Sequence, residues 1–188
     1  MTGASPRPTA RESAADAAAR VPMLGSCASP PVAPTLVIGI GNPSRGDDAL
    51  GPLAAQQVAA LGLPGVEVLT DFQLQVEHAL DLLGRRLVVF VDAAVGGRAP
   101  FELRPLLPRA DVRHTSHSLS PAAVLDAYHR LTGKAPPPAR LLAICGEDFE
   151  LGAPLGEAAA ANLQAAMTAL VPLLRAAGQP LRSDRLPA

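Results

Sequence analysis

Two adjacent acids, Asp47 and Asp48, close a loop that follows an apolar run at residues 36–40 and contains Gly41, Asn42 and Gly46. Asp71 follows a second apolar run, and Asp92 ends a third, RLVVFVD at residues 86–92. His114 and His117 lie in the polar stretch DVRHTSHSL, residues 111–119. Two carboxylates and an imidazole form a mixed oxygen and nitrogen donor set that suits a borderline divalent ion such as Ni²⁺ or Zn²⁺. Three protein ligands leave positions open for water or substrate. Glycines after a strand more commonly cradle phosphate, so that chemistry has to be tested first. Gly39-Ile40-Gly41 begins a G-x-G-x-x-G pattern, but Ser44 occupies the third glycine position. Gly41 and Gly46 have the outer spacing of a P-loop, yet Asp47-Asp48 stand where Lys-Ser/Thr is required, and carboxylates repel phosphate. The loop suits a cation. The structural alternative is that Asp47 or Asp48 only caps a helix beginning near Ala49, with Pro52 in its first turn.

The elements around these residues alternate. Residues 36–40 read as a strand. Residues 50–61 read as a helix, with Leu50, Ala54, Val58 and Leu61 on one face and Gly62 at its end. A strand at 66–69 and a short helix at 76–83, stopped by Gly84, come next. Residues 86–92 are apolar on both faces, as a central parallel strand should be. Gly96-Gly97 turn the chain into a strand at 100–106, where Pro105 demands an edge position. The turn is too short for a crossover, so this strand is expected antiparallel to the one before it. Ser120-Pro121 are an N-cap and first helical residue, ahead of Val124, Leu125, Tyr128 and Leu131 on one face and Gly133 at the end. A strand at 140–145 and a helix at about 155–177, with Leu163, Met167, Leu170 and Leu174 on one face, complete the body. The pattern predicts an α/β fold, a three-layer α/β/α sandwich with a mostly parallel five-stranded sheet and one antiparallel edge strand.

Composition narrows the classes. The chain has 188 residues, 48% hydrophobic, with a formal net charge of −1, enough for one domain with a full core. Tyr128 and four Phe are its whole aromatic complement and Lys134 its one lysine, so neither a base-stacking surface nor a basic stripe is available for nucleic acid. Two cysteines, Cys27 and Cys145, make neither a disulfide framework nor a zinc cluster and fit a reducing compartment. No apolar run approaches a membrane span, and no secretory h-region is seen, so the expected location is cytoplasmic. Residues 1–34, rich in Pro, Ala, Ser and Arg, read as a disordered extension, residues 35–177 as the domain, and 178–188 as a loose tail. The lack of an apolar surface stripe favours a monomer.

Carboxyl ends of parallel strands share one rim, so Asp47, Asp48, Asp71 and Asp92 are expected on the same edge. His117 is preferred over His114 by position. It lies three residues before the Ser120 cap, where the positive helix end favours a neutral, ligating imidazole. His78 and His129 fall within helices and read as surface or boundary residues. Pairing Cys145 with His117 as a thiol protease lacks any nucleophile signature, and H-E-x-x-H is absent.

Three stretches taken together resemble the [NiFe]-hydrogenase maturation endopeptidases. They are Gly39-Ile40-Gly41-Asn42-Pro43-x-x-Gly46-Asp47-Asp48-x-x-Gly51, Val91-Asp92-Ala93 and Ser116-His117-Ser118-Leu119. The segments TDFQLQ at 70–75 and GEDFELG at 146–152 also resemble members of this family, and the likeness spans about residues 35–175. The resemblance implies a protease that removes a C-terminal extension from the hydrogenase large-subunit precursor once nickel is installed. Nickel in the precursor would be the recognition element, and the protease need hold no permanent metal. The family's three metal-contacting positions fall on Asp48, Asp92 and His117. Relatives often have Glu at the first, one methylene longer than Asp48. Asp48 is then the leading candidate to assist attack by water, with Asp47, Asp71, Gly41, Asn42 and Gly46 in support. The residues alone leave open whether a metal-bound hydroxide attacks or docking is followed by carboxylate-assisted attack. They also leave a non-catalytic nickel-binding or sensing module as the alternative.

Overall fold

The structure is a computed structural model that describes residues 32–110 and 119–178. Its elements, in chain order, are β1 (Thr35–Ile40), a 3₁₀ turn (Gly46–Ala49) running into α1 (Leu50–Ala60), β2 (Val66–Asp71), a single-turn α2 (His78–Asp81), β3 (Leu87–Val95), β4 (Phe101–Leu106), α3 (Pro121–Thr132), β5 (Ala139–Gly146) and α4 (Glu157–Gly178). The strands form one sheet in the order β2-β1-β3-β5-β4, parallel except for β4. The expected sandwich and its antiparallel edge strand are both present. The proposed tails, residues 1–34 and 178–188, lie almost wholly outside the described residues.

Period-2 alternation in the strands separates two apolar layers. Leu36, Ile38, Val88 and Phe90 face α2 and α3, packing with Leu82, Val124, Leu125 and Tyr128. Val37, Val89, Val91, Leu142 and Ile144 face α1 and α4, packing with Leu50, Ala54, Val58, Leu163, Leu170 and Leu174. α1 lies unusually close to β1 because Gly51 meets the Ile40 backbone, where any β-carbon would overlap the Ile40 carbonyl oxygen.

Four local expectations need correction. β4 runs antiparallel, but its hydrogen-bonded partner is β5, not β3. The two edges of β3 are taken by β1 and by β5, which pairs with it from Val88↔Ala139 to Val95↔Gly146. Residues 96–100 therefore carry the chain past one strand, a span of about 10 Å that five residues readily cover. β3 also continues three residues beyond Asp92, because β5 goes on offering backbone partners there. Leu61 and Leu131 are exposed (46% and 59%): each falls in the last turn of its helix or at its cap, past the reach of the sheet. The helix foreseen at 76–83 is reduced to the single turn α2, flanked by hydrogen-bonded turns.

The Ser120 cap forms as expected, its Oγ accepting from the Ala123 N–H at 3.2 Å, with Gly133 left-handed at the other end. Ser120→Ala should lower the unfolding free energy by about 1 kcal/mol, measured by urea denaturation; an unchanged midpoint would show that the cap contributes nothing.

Candidate active site

The chain leaves β1 toward α1 on one face of the sheet, whereas the route out of β3 leads through β4 to α3 on the other. Neighbouring parallel strands whose connections diverge in this way open a crevice at their carboxyl ends. Asp48 and Asp92 flank that crevice. Asp48 is placed by the glycine loop. Gly41 has φ +134°, and a β-carbon there would overlap the Asp48 carbonyl oxygen, so only glycine allows the loop to fold back this tightly. Its N–H donates to the Asp71 carbonyl at 3.1 Å. The Asn42 N–H then donates to Asp48 Oδ2 at 2.8 Å, and Asn42 Oδ1 accepts from the Ser44 N–H at 2.9 Å. The Asp48 carboxylate is thus oriented by backbone and left half-buried.

Asp92 sits on β3 one residue beyond Val91, the last position that pairs with β1, and is half-buried. Burial pushes its pKa up to about 6; the Ala93 N–H opposes the rise, and the nearby Asp48 charge adds to it. Among the described residues, neither acid takes part in an ion pair. The crevice holds two neighbouring carboxylates, a donor set that fits a divalent metal.

Asp47 does something else. It is only 2% exposed. Its Oδ2 accepts from the N–H groups of Glu147 (2.7 Å) and Asp148 (3.1 Å), and its Oδ1 from that of Gly156 (2.8 Å). Burial alone would raise its pKa, but the three donors hold it below the ordinary carboxylate range. Further bonds join the same two loops: Gly46 N–H to Ala153 O (3.1 Å), Asp47 N–H to Asp148 O (2.7 Å), Gly152 N–H to Ser44 O (2.7 Å) and Arg45 Nε–H to Phe149 O (3.2 Å). Neither acid caps α1, whose cap residue is Ala49 without a side-chain bond. Adjacent in sequence, the two acids diverge in space, one to the crevice and one to the loop after β5.

Asp71 ends β2, level with Ile40 in the register, and its carbonyl holds the Gly41 turn. Its Oδ2 lies 3.4 Å from Nε2 of His78, a histidine the sequence offered no reason to single out. Cys145 is buried, its Sγ donating to the Gly97 carbonyl at 3.5 Å. His114 and His117 lie outside the described residues, and among those described no three His, Cys, Asp or Glu side chains gather as a metal cluster.

Neither a protein-family model nor a curated protein matches the sequence. Solved structures do. The chain is similar to the hydrogenase maturating endopeptidase HybD from E. coli, at 26% identity over 77% of this chain and 93% of that one, with a TM-score of 0.59. An endopeptidase from Escherichia coli matches at 27% identity over 77% and 93%, with a TM-score of 0.58. The [NiFe] hydrogenase maturation protease HycI from Thermococcus kodakarensis shares the fold at 24% identity over 76% and 93%, with a TM-score of 0.57. The architecture is therefore the α/β fold of maturation proteases. In fold the chain is similar to these hydrogenase maturation proteases.

Proposed function

We propose that this chain is an endopeptidase that removes the C-terminal extension of a nickel-loaded [NiFe]-hydrogenase large-subunit precursor. The observation that carries the reading is the closeness of two carboxylates, Asp48 and Asp92, at the divergence of β1 and β3. The nickel of the precursor is the complementary charge, and with His117 the two acids complete an oxygen and nitrogen donor set for it. The ion belongs to the substrate, so the protein need retain no metal of its own. Docking through the ion brings the scissile peptide to the crevice and makes the reaction effectively intramolecular.

Nickel supplies Lewis acidity toward the scissile carbonyl. The chain's own part is proton handling. Asp48 has one carboxylate oxygen beyond its bond to Asn42 and accepts a proton from the attacking water. The water oxygen bonds to the carbonyl carbon, the C–N bond breaks, and the proton passes to the departing amine. Asp47 supports this from behind, by fixing the loop that carries Asp48. Among the described residues no helix is long and apolar enough to cross a membrane. The sparse cysteines suit a reducing compartment, and we assign the enzyme to the cytoplasm, acting as a monomer.

The test is incubation of the purified protein with nickel-loaded and nickel-free precursor, followed by intact mass. Only the loaded precursor should be shortened, and His117→Ala should slow that shortening on the order of a hundredfold or more with an unchanged melting temperature. Precursor bound but never shortened would establish a non-catalytic nickel-binding module instead.

A further inference from the structure

The segment from Asp71 to His78 is fastened at four points. The Asp71 carboxylate accepts from the Gln73 N–H (Oδ1, 3.4 Å) and lies 3.4 Å from His78 Nε2 (Oδ2). The Gln75 N–H donates to His78 Nδ1 at 3.0 Å. Nδ1 also lies 3.3 Å from the Gln75 carbonyl oxygen, so the Gln75 backbone meets one ring nitrogen while Asp71 lies beside the other. Leu74, between them, is 1% exposed, and its carbonyl accepts from the Leu119 N–H at 2.9 Å, two residues beyond His117 in sequence. The His78 side chain is 13% exposed and the Asp71 side chain 41%, so the imidazole is the enclosed member and the carboxylate the one that reaches the rim. From Asp71 the path to the crevice is short. Its carbonyl holds the Gly41 N–H, and the next N–H, that of Asn42, holds the Asp48 carboxylate.

We infer that His78 is a positioning residue for the peptidase: acting through Asp71, it closes the 71–78 segment into a rigid bracket that keeps the Gly41 turn, and with it Asp48, in register. The inference rests on the proposed endopeptidase activity. A histidine that merely filled space would need neither the Gln75 backbone at one ring nitrogen nor an acid beside the other. Loss of the imidazole removes one link in a series, so a second break in the same series adds nothing.

The experiment measures turnover of nickel-loaded precursor by wild type, His78→Ala, Asp71→Ala, the double variant and His78→Gln. His78→Ala should lower kcat between about tenfold and a hundredfold, the effect of misplacing a catalytic group by about an ångström, with KM within about twofold. The double variant should be no slower than the slower single variant. His78→Gln keeps an N–H donor at the Nε2 position and should recover most of the rate. Unchanged kcat in His78→Ala, a multiplicative loss in the double variant, or no recovery by glutamine would each overturn the inference. An inactive wild type would overturn the endopeptidase reading itself and His78's part in it, and the wild-type control separates that result from the others.

Discussion

Replacing Asp47 with alanine should lower the unfolding free energy at neutral pH by about 4 kcal/mol, measured by urea denaturation. Hydrogen bonds to a charged group contribute about 1.5–3 kcal/mol each, and three buried N–H donors would be left without a partner. Relief of the carboxylate's own desolvation offsets part of that loss. Asp47→Asn would do little better, since the amide NH₂ would confront donors where an oxygen is needed. The effect is pH-dependent in a defined direction. Asp47 has a folded pKa below its ordinary 3.8, so its contribution is present above about pH 4 and lost as pH falls through the lower folded value. Wild type should therefore lose its advantage over Asp47→Ala in acid. Amide exchange at Glu147, Asp148 and Gly156 should accelerate in the variant, because these N–H groups lose their acceptor. A variant as stable as wild type at pH 7 would show that the two loops hold together without this carboxylate.

The second large effect has the opposite sign. Asp92→Asn should stabilise the fold above pH 6, by on the order of 2 kcal/mol, while abolishing precursor processing. The folded pKa is raised from 3.8 to about 6, so proton binding favours the folded state fully below about pH 4. That advantage is lost as pH rises through 6, and above it wild type carries the whole cost of a half-buried charge beside Asp48. The shift of about two units corresponds to about 3 kcal/mol, discounted here because Asp92 is not fully enclosed. Asparagine is neutral throughout and can still accept the Ala93 N–H. Urea unfolding at pH 8 and pH 4 should show a stability gap that closes in acid, and an Asp92→Asn variant no more stable than wild type at pH 8 would contradict the account. A residue that weakens the fold yet is required for turnover is the signature of a functional acid.

The α/β class was legible because the apolar periods of 2 and 3.6 separate cleanly: residues 36–40 and 87–92 lie in the sheet, and Leu163, Met167, Leu170 and Leu174 line the buried face of α4. Ser120 and Gly133 marked their helix because capping is local chemistry, written in one or two residues. The pairing of β4 with β5 was not local. It depends on which strand captures the free edge of β3, and nothing within residues 96–106 encodes that. Likewise, Asp92 looked like a strand end because the apolar run stops there, whereas the strand stops where its neighbour stops offering partners.

Only part of the candidate site was legible, and for the same reason. Asp48 and Asp92 could be assigned to one rim because parallel strands align their carboxyl ends, and the structure brings them close enough to share charge. The separate task of Asp47 was hidden, since its partners Glu147, Asp148 and Gly156 lie about a hundred residues away. His78 gave no signal beyond following Asp71 by seven residues, and only the turn between them brings the two side chains together. His117 was singled out by its place ahead of the Ser120 cap, and it lies outside the described residues.

Anomalous diffraction from crystals soaked in Ni²⁺ tests the central claim most directly, because it reports where the ion sits without assuming any activity. The account predicts one ion in the crevice between β1 and β3, within about 2.0–2.2 Å of oxygens from Asp48 and Asp92 and of a nitrogen from His117. An ion bound elsewhere, with both rim acids bare, would contradict it.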